Sequence, residues 1–235
     1  SNRAGLIFLG LCLLLGLSAL GYLLDNAALQ VKSFERSVNV KGLAEREYPA
    51  DVVIWPIQFS VASNQLADLY AALEQQSGEI REFLTSNGVD ESEITQGAPA
   101  ITDKSAQQYG GNMRAEFRYT ATQAVTVYSE NIPEIRQLMS KLSQLGKRGI
   151  VLEGGYQAQA EYLFTRLNDI KPAMIEEATT KAREVAQKFA RDSESQLGKI
   201  KRASQGQFSI RDRDRNNPHI KMVRVVSTVE YYLSD

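Results

Sequence analysis

Apolar and polar positions split this chain into an unbroken apolar opening and a long, periodically patterned remainder. Ala4 to Leu24 (AGLIFLGLCLLLGLSALGYLL) contains no charged residue. Its 21 residues match the ~20 helical residues needed to cross a hydrocarbon core of about 30 Å. After Asp25 the apolar residues recur either every second position or every three to four, which predicts strands alternating with helices.

Ser37 to Glu45 (SVNVKGLAE) alternates, and Asp51 to Ala62 (DVVIWPIQFSVA) is rich in β-branched and aromatic residues, so both read as strands. Pro56 cannot donate to a ladder, which predicts an edge or a bulge there. The first helix is expected to start at Asn64 as N-cap. It carries Leu66, Leu69, Tyr70, Leu73, Ile80, Phe83 and Leu84 on one stripe and ends at Asn87-Gly88. Ile94 to Thr102 and Met113 to Tyr128 read as an antiparallel pair joined through the turn-forming Ser105 to Asn112. A second helix follows Asn131, with Pro133 in its first turn, burying Ile135, Leu138, Met139, Leu142 and Leu145 before Gly146. Ile150 to Phe164 reads as a strand. A third helix spans Lys171 to Leu197, with Met174, Ala178, Ala182, Val185, Ala186 and Phe189 inward and a Glu177–Lys181 pair on the wet side. Lys199 to Arg211 and Ile220 to Leu233 close the chain as strands, the last with Val223, Val225, Ser227, Val229 and Tyr231 on one face. The order ββαββαβαββ predicts an α+β fold, helices on one face of a largely antiparallel sheet.

The apolar run also sets an expected location. A secretory signal has an apolar core of only about 7–15 residues and a small-x-small cleavage site. This run is longer and Tyr22 to Ala28 offers no clean site, so an uncleaved anchor is expected, with a cleaved signal as the alternative. Cys12 sits mid-run behind Leu11, where a lipoprotein would need a small residue. Ser1-Asn2 without an initiator Met reads as a cloning remnant. Arg3 gives a positive-inside vote for a cytoplasmic N-terminus. The expected plan is an anchor over residues 4–24, a tether over 25–35 and one α+β domain over 36–235. That domain is expected in the bacterial periplasm on a single-pass inner-membrane anchor, or free there or at the outer membrane after cleavage. Cys12 is the single Cys, so the exported part carries no disulfide framework.

Charge and reactive side chains then narrow the function. The chain holds 27 basic and 28 acidic residues, and removing Arg3 leaves 26 against 28 beyond the run. Nucleic-acid binding calls for a basic excess, which is missing. Arg211-Asp212-Arg213-Asp214-Arg215 alternates in sign and reads as a solvated loop. His219 is the only histidine and there is no exported Cys, so zinc or general-base chemistry lacks partners in the sequence. No G-x-S-x-G elbow accompanies it, and Gly110-Gly111 and Gly154-Gly155 lack the Lys-Ser/Thr of a phosphate cradle. Glu45, Glu47 and Asp51 are near one another in sequence and form the one candidate cation cluster, with surface solvation as the plainer reading. Tyr231-Tyr232 is expected to pack a sheet face or a subunit contact. Thr122 to Tyr128 and Val223 to Leu233 are candidates for inter-subunit sheet extension, with central strands as the alternative. The expectation is a non-enzyme with no catalytic, cofactor or metal residues.

The stretch SVNVKGLAEREYPADVVIWPIQFSV resembles the opening signature of the SIMPL domain family, a V-x-V-x-G-x-A strand followed by Pro-Ala-Asp and a second strand. Tyr119-Thr120-Ala121 before Val125-Thr126-Val127, Asn131-Ile132-Pro133, the helix around Glu177 to Ala186 and the closing Val-x-Val-x-Ser-x-Val fall in the same order. The resemblance spans Phe34 to Leu233. It implies a bacterial periplasmic or outer-surface protein, in some members immunogenic or tied to oxidative-stress defence. It also implies homo-oligomeric, channel-like rings in some members. It carries no catalytic residues. The function expected is a membrane-anchored, homo-oligomeric envelope scaffold, with a tethered ligand- or peptide-binding module as the alternative.

Overall fold

A computed structural model of the protein describes residue 10 and residues 13–24, 36–106 and 116–234. Arg3, Cys12, the tether over 25–35, the Gly110-Gly111 pair and the start of the strand expected at Met113 lie outside the described residues. Residues 13–24 form helix α1, and its side chains are exposed. Among the described residues no helix is long and apolar enough to cross a membrane.

The rest is α+β. In chain order the elements are β1 (Ser37–Pro49), β2 (Val52–Ser63), α2 (Leu66–Ser86), β3 (Ile94–Gln96), β4 (Ala100–Asp103), β5 (Tyr119–Ser129), α3 (Ile132–Ser140), α4 (Ser143–Lys147), β6 (Val151–Leu152), β7 (Glu161–Leu163), α5 (Leu167–Asp192), β8 (Gln196–Gln205), β9 (Ser209–Asp212) and β10 (Ile220–Ser234). Several expected elements are subdivided. The strand expected over Ile94 to Thr102 breaks at Gly97-Ala98-Pro99, and the one over Ile150 to Phe164 breaks at Gly154-Gly155, where Gly155 has φ +122°. The second helix breaks at Lys141-Leu142, and the third starts earlier and stops at Asp192, so that Leu197 belongs to β8. Pro172 therefore lies inside α5, where it removes the hydrogen bond to Asn168.

The chain gathers into two compact units. One holds residues 47–106, 116–167 and 210–222 among those described. Its sheet runs β3-β5-β2-β6, with β4 also on β5 and β7 also on β2, and the pairs are antiparallel. Register partners share a face. Trp55 with Val127, Ile57 with Val125 and Val61 with Ala121 are all buried, and they join Leu69, Leu73, Ile80, Phe83 and Leu84 of α2 and Ile135 and Leu138 of α3 in one core. The α2 stripe is narrower than expected. Leu66 and Tyr70 are exposed, and the helix starts from Gln65 without a side-chain cap. Asn64 instead accepts from Arg118 N at 3.0 Å.

Pro56 does not sit at an edge, for β2 is interior. Gln58 O accepts from Glu153 N at 2.9 Å, so the even positions of β2 turn toward β6 and β7. Pro56 falls between the residues paired with β7 (Val52 to Ile54) and those paired with β6 (Phe59, Ser60). Its missing N–H points into that gap, and the β2–β5 ladder continues through Pro56 opposite Thr126.

The second unit holds residues 10, 13–24, 36–46, 168–209 and 223–234 among those described. β10 lies between β1 and β8, antiparallel to β8. The face of β10 read from the sequence is the buried one: Val223, Val225, Ser227, Val229 and Tyr231. Val40, Val229 and Tyr231 pack with Ala182 and Ala186 of α5.

Candidate functional site

The residues that carry the strongest sequence signal are in β1, and their environment explains them. Val38, Val40, Gly42 and Ala44 alternate with exposed Asn39, Lys41, Leu43 and Glu45, so the V-x-V-x-G-x-A run is the inward face of β1. Opposite lies α5, whose buried residues are Met174, Ala178, Ala182, Ala186 and Ala190 at four-residue spacing. A Cβ on Gly42 would come within 1.8 Å of Ala178 O and 2.5 Å of Ala182 N. Strand and helix backbones thus touch with no room for a side chain. The same closeness corrects the expected α5 stripe: Val185 and Phe189 are 37% and 54% exposed, displaced from the seam by alanines. At the edge of the seam Glu177 accepts from Lys181 Nζ at 2.6 Å and from Arg46 Nε at 2.8 Å. The Lys181 bond, with help from Arg46, holds the Glu177 carboxyl below its ordinary value.

Pro49-Ala50-Asp51 is the second part of the signature, and Asp51 is a clamp. Its carboxylate accepts from Thr165 N at 2.9 Å, from Arg166 N at 3.1 Å and from Arg166 Nε at 3.2 Å, just ahead of α5. Burial pushes its carboxyl up, but the Thr165 and Arg166 hydrogen bonds outweigh that and leave it lowered. Asp51 N donates to Leu163 O and Ala50 N to His219 O, so this tripeptide fastens three chain segments.

The candidate cation cluster separates into different ion pairs. Asp51 is committed to Arg166, Glu47 to Arg213 at 3.6 Å and Glu45 to Arg224 at 3.9 Å. Among the described residues there is no group of three or more His, Cys, Asp or Glu that could hold a metal ion. The alternating loop also pairs internally. Arg213 Nε donates to Asp214 at 2.9 Å, Asp212 binds Lys221, and Arg213 with Asn217 takes the Asp214 carboxyl down to about 2.

His219 is half-buried at the entry to β10 rather than in an open loop. Its Nε2 lies 3.1 Å from Arg136 Nη1, and its ring meets Tyr162 edge-on at 6.0 Å. Burial first, then Arg136 and Arg213, lowers its pKa, so the ring is held neutral and accepts from the guanidinium. A general base is oriented by an acceptor, whereas this imidazole faces a cation.

Both strands read as candidates for sheet extension are interior. β5 pairs with β2 on one side and with β3 and β4 on the other, and β10 is flanked by β1 and β8. Among the described residues the free edges of the β1-β10-β8 path are β1 and β8. Nearly all of β8 is exposed, including Lys199, Lys201, Arg202 and Ile200. Tyr231 packs inward, while Tyr232 lies under Lys201 Nζ at 5.7 Å. Gly42, the alanine spacing of α5 and the Asp51 clamp are the residues that composition alone undervalued. The glycine in an alternating strand and the Ala-x-x-x-Ala spacing are the signals that point to the seam.

One unit with a helix packed through alanines on an antiparallel-paired sheet, and one with a helix-covered antiparallel sheet, define an α+β protein whose marked residues are architectural. The SIMPL family, described as "Protein of unknown function (DUF541)", matches residues 38–229, and the chain belongs to this family. No curated protein matches the chain.

Proposed function

We propose that this SIMPL-family chain is a non-catalytic envelope protein, tethered to the inner membrane through residues 4–24. Its domain lies in the periplasm and self-associates into a homo-oligomeric scaffold that serves envelope or oxidative-stress tolerance. The observation that carries this reading is the pair of free edges, thirteen residues of β1 and ten of β8, on one sheet. A long uncovered edge is a template for another strand. β8 presents Lys199, Lys201 and Arg202, while β1 presents Glu45 and Glu47 beside Lys41 and Arg46. The cationic β8 edge repels a second β8 edge, which favours β8 of one copy against the charge-balanced β1 of the next, a head-to-tail contact that closes into a ring when the rotation permits. The apolar run supports the tether, which would raise the local concentration of copies.

Light scattering of the full chain in detergent micelles tests this. A mass several times that of one chain is expected, falling toward one chain when Lys199→Glu and Arg202→Glu reverse the β8 edge. A single-chain mass at every concentration sinks the scaffold. A tethered peptide-binding module is the second reading, and a cleft beside β7 favours it.

A further inference from the structure

α5 covers only part of the sheet formed by β1, β10 and β8. Val229 and Tyr231 of β10 are buried against the helix. Ala203 and Ile200 of β8 stand opposite them in the register and so share their face, yet both are exposed, Ile200 to 44%. The helix stops short of β8.

At its other side α5 has the converse shortage. Glu177, Lys181, Val185 and Phe189 recur at four-residue spacing, each one position ahead of a buried alanine, and form a stripe flanking the seam. Arg46 of β1 reaches this stripe through Glu177, which assigns it to the outer flank, beyond β1. Handedness agrees, since a right-handed helix antiparallel to β1 turns this stripe away from the side on which Arg36 O meets β10. Val185 and Phe189 are exposed there, and among the described residues the strand beneath them is a free edge.

The two apolar spots lie at one level. Ala178 and Ala182 mark the height of Gly42 on α5. Phe189 is about nine residues past their midpoint, ~13 Å at 1.5 Å per residue. α5 runs from Glu177 beside Arg46 to its end near Ser195, which is beside Arg36, so Phe189 lies toward the start of β1. Val38 is four residues back from Gly42, also ~13 Å at about 3.3 Å each. Leu233 N donates to Arg36 O, so Tyr231 is level with Val38, and Ile200 stands opposite Tyr231. β1 and β8 are both antiparallel to β10, hence parallel to each other. A second copy displaced sideways therefore sets its β8 parallel to β1, with its Ile200 at the height of Phe189.

We infer that the flank of α5 at Val185 and Phe189 seats Ala203 and Ile200 of a second copy, with the two α5 helices on the same side of one continuous sheet. The inference rests on the edge-pairing reading and adds the side chains that set the direction and register of the contact. Each copy supplies what the other lacks: an apolar ledge on β8 without a helix above it, and an apolar helix flank without a strand below it.

The test uses chains with Cys12→Ser and either Phe189→Cys or Ile200→Cys, co-expressed and oxidised in their own membrane. Disulfide-linked dimers of the two different variants are expected, and none from either variant alone. No disulfide from the mixture, while Lys41→Cys and Lys199→Cys chains still crosslink, overturns the seat and leaves edge pairing standing. Absence of both overturns both. Dimers from Ile200→Cys alone place β8 against β8 and overturn the inference. In detergent micelles, Phe189→Asp is expected to raise at least tenfold the concentration at which light scattering shows assembly, and Tyr70→Asp on α2 to leave it unchanged. Assembly unaltered by Phe189→Asp overturns the inference as well.

Discussion

Adding one methyl group at Gly42 is the sharpest perturbation of the β1–α5 seam. The new Cβ meets backbone, at 1.8 Å from Ala178 O, 2.5 Å from Ala182 N and 2.9 Å from Ala178 C, and backbone cannot rotate aside. Real Cβ contacts essentially never fall under 3.0 Å, so the closest one has to open by 1.2 Å. A displacement of that size lifts α5 from the strand and thins its packing on Val40, Val229 and Tyr231. Overpacking costs about 1–3 kcal/mol, and a contact with no flexible partner belongs at the top of that range, about 3 kcal/mol or above. Gly78 provides the opposite case. It is exposed in α2 with nothing within 4 Å of its missing Cβ, so Gly78→Ala stabilises by about 0.5–1 kcal/mol through helix propensity. Urea unfolding separates the two effects, because Trp55 is the only tryptophan and is buried in the unit that contains α2. Gly42→Ala lowers the midpoint of the circular-dichroism transition by about 1–3 M at a slope of ~1–3 kcal/mol/M. Gly78→Ala raises the Trp55 fluorescence midpoint. A Gly42→Ala protein within about 0.5 kcal/mol of the natural chain refutes the close-contact argument.

Asp51→Asn removes a carboxylate from the Thr165 and Arg166 donors and costs about 1.5–3 kcal/mol, the range for hydrogen bonds to charged groups. Because the Asp51 carboxyl is held below the ordinary 3.8, its contribution is complete above the unfolded value and fades as pH falls through the folded one. Stability of Asp51→Asn, followed by urea unfolding from pH 6 to pH 3, therefore declines less steeply below about pH 4 than that of the natural chain. His219 titrates below the ordinary 6.5 when followed by NMR, and Arg136→Ala moves it upward; a shift downward contradicts the assigned pairing. Its folded state favours the neutral ring, so this group destabilises the fold as pH falls through the unfolded value.

Much of the fold was legible because alternation is a direct consequence of strand geometry. The face Val223, Val225, Ser227, Val229 and Tyr231 was readable from period two alone. The inward face of α5 was not, because hydrophobicity ranks Val185 and Phe189 above alanine, whereas the seam at Gly42 selects for smallness. Strand breaks at Gly97 to Pro99 and Gly154-Gly155 were visible as glycine and proline, but only pairing partners decide whether such a residue bends a strand or ends it. Pro56 shows the same limit: its missing donor predicts an edge or a bulge, whereas β2 is interior and in unbroken register there, and the gap between β6 and β7 takes the missing N–H inside the sheet. For the candidate site, nearness in sequence misled at Glu45, Glu47 and Asp51. Each was drawn to a cation from a distant segment, Arg224, Arg213 and Arg166, which no local pattern announces.

The claim that copies join through β8 of one and β1 of the next has a direct measurement. Chains with Cys12→Ser and either Lys41→Cys on β1 or Lys199→Cys on β8 are co-expressed and treated with a short bis-maleimide in their own membrane. Crosslinked dimers pairing the two different variants are expected, and only background when either variant is expressed alone. No dimers from the mixture, or equal yields from a single variant, would contradict head-to-tail edge pairing.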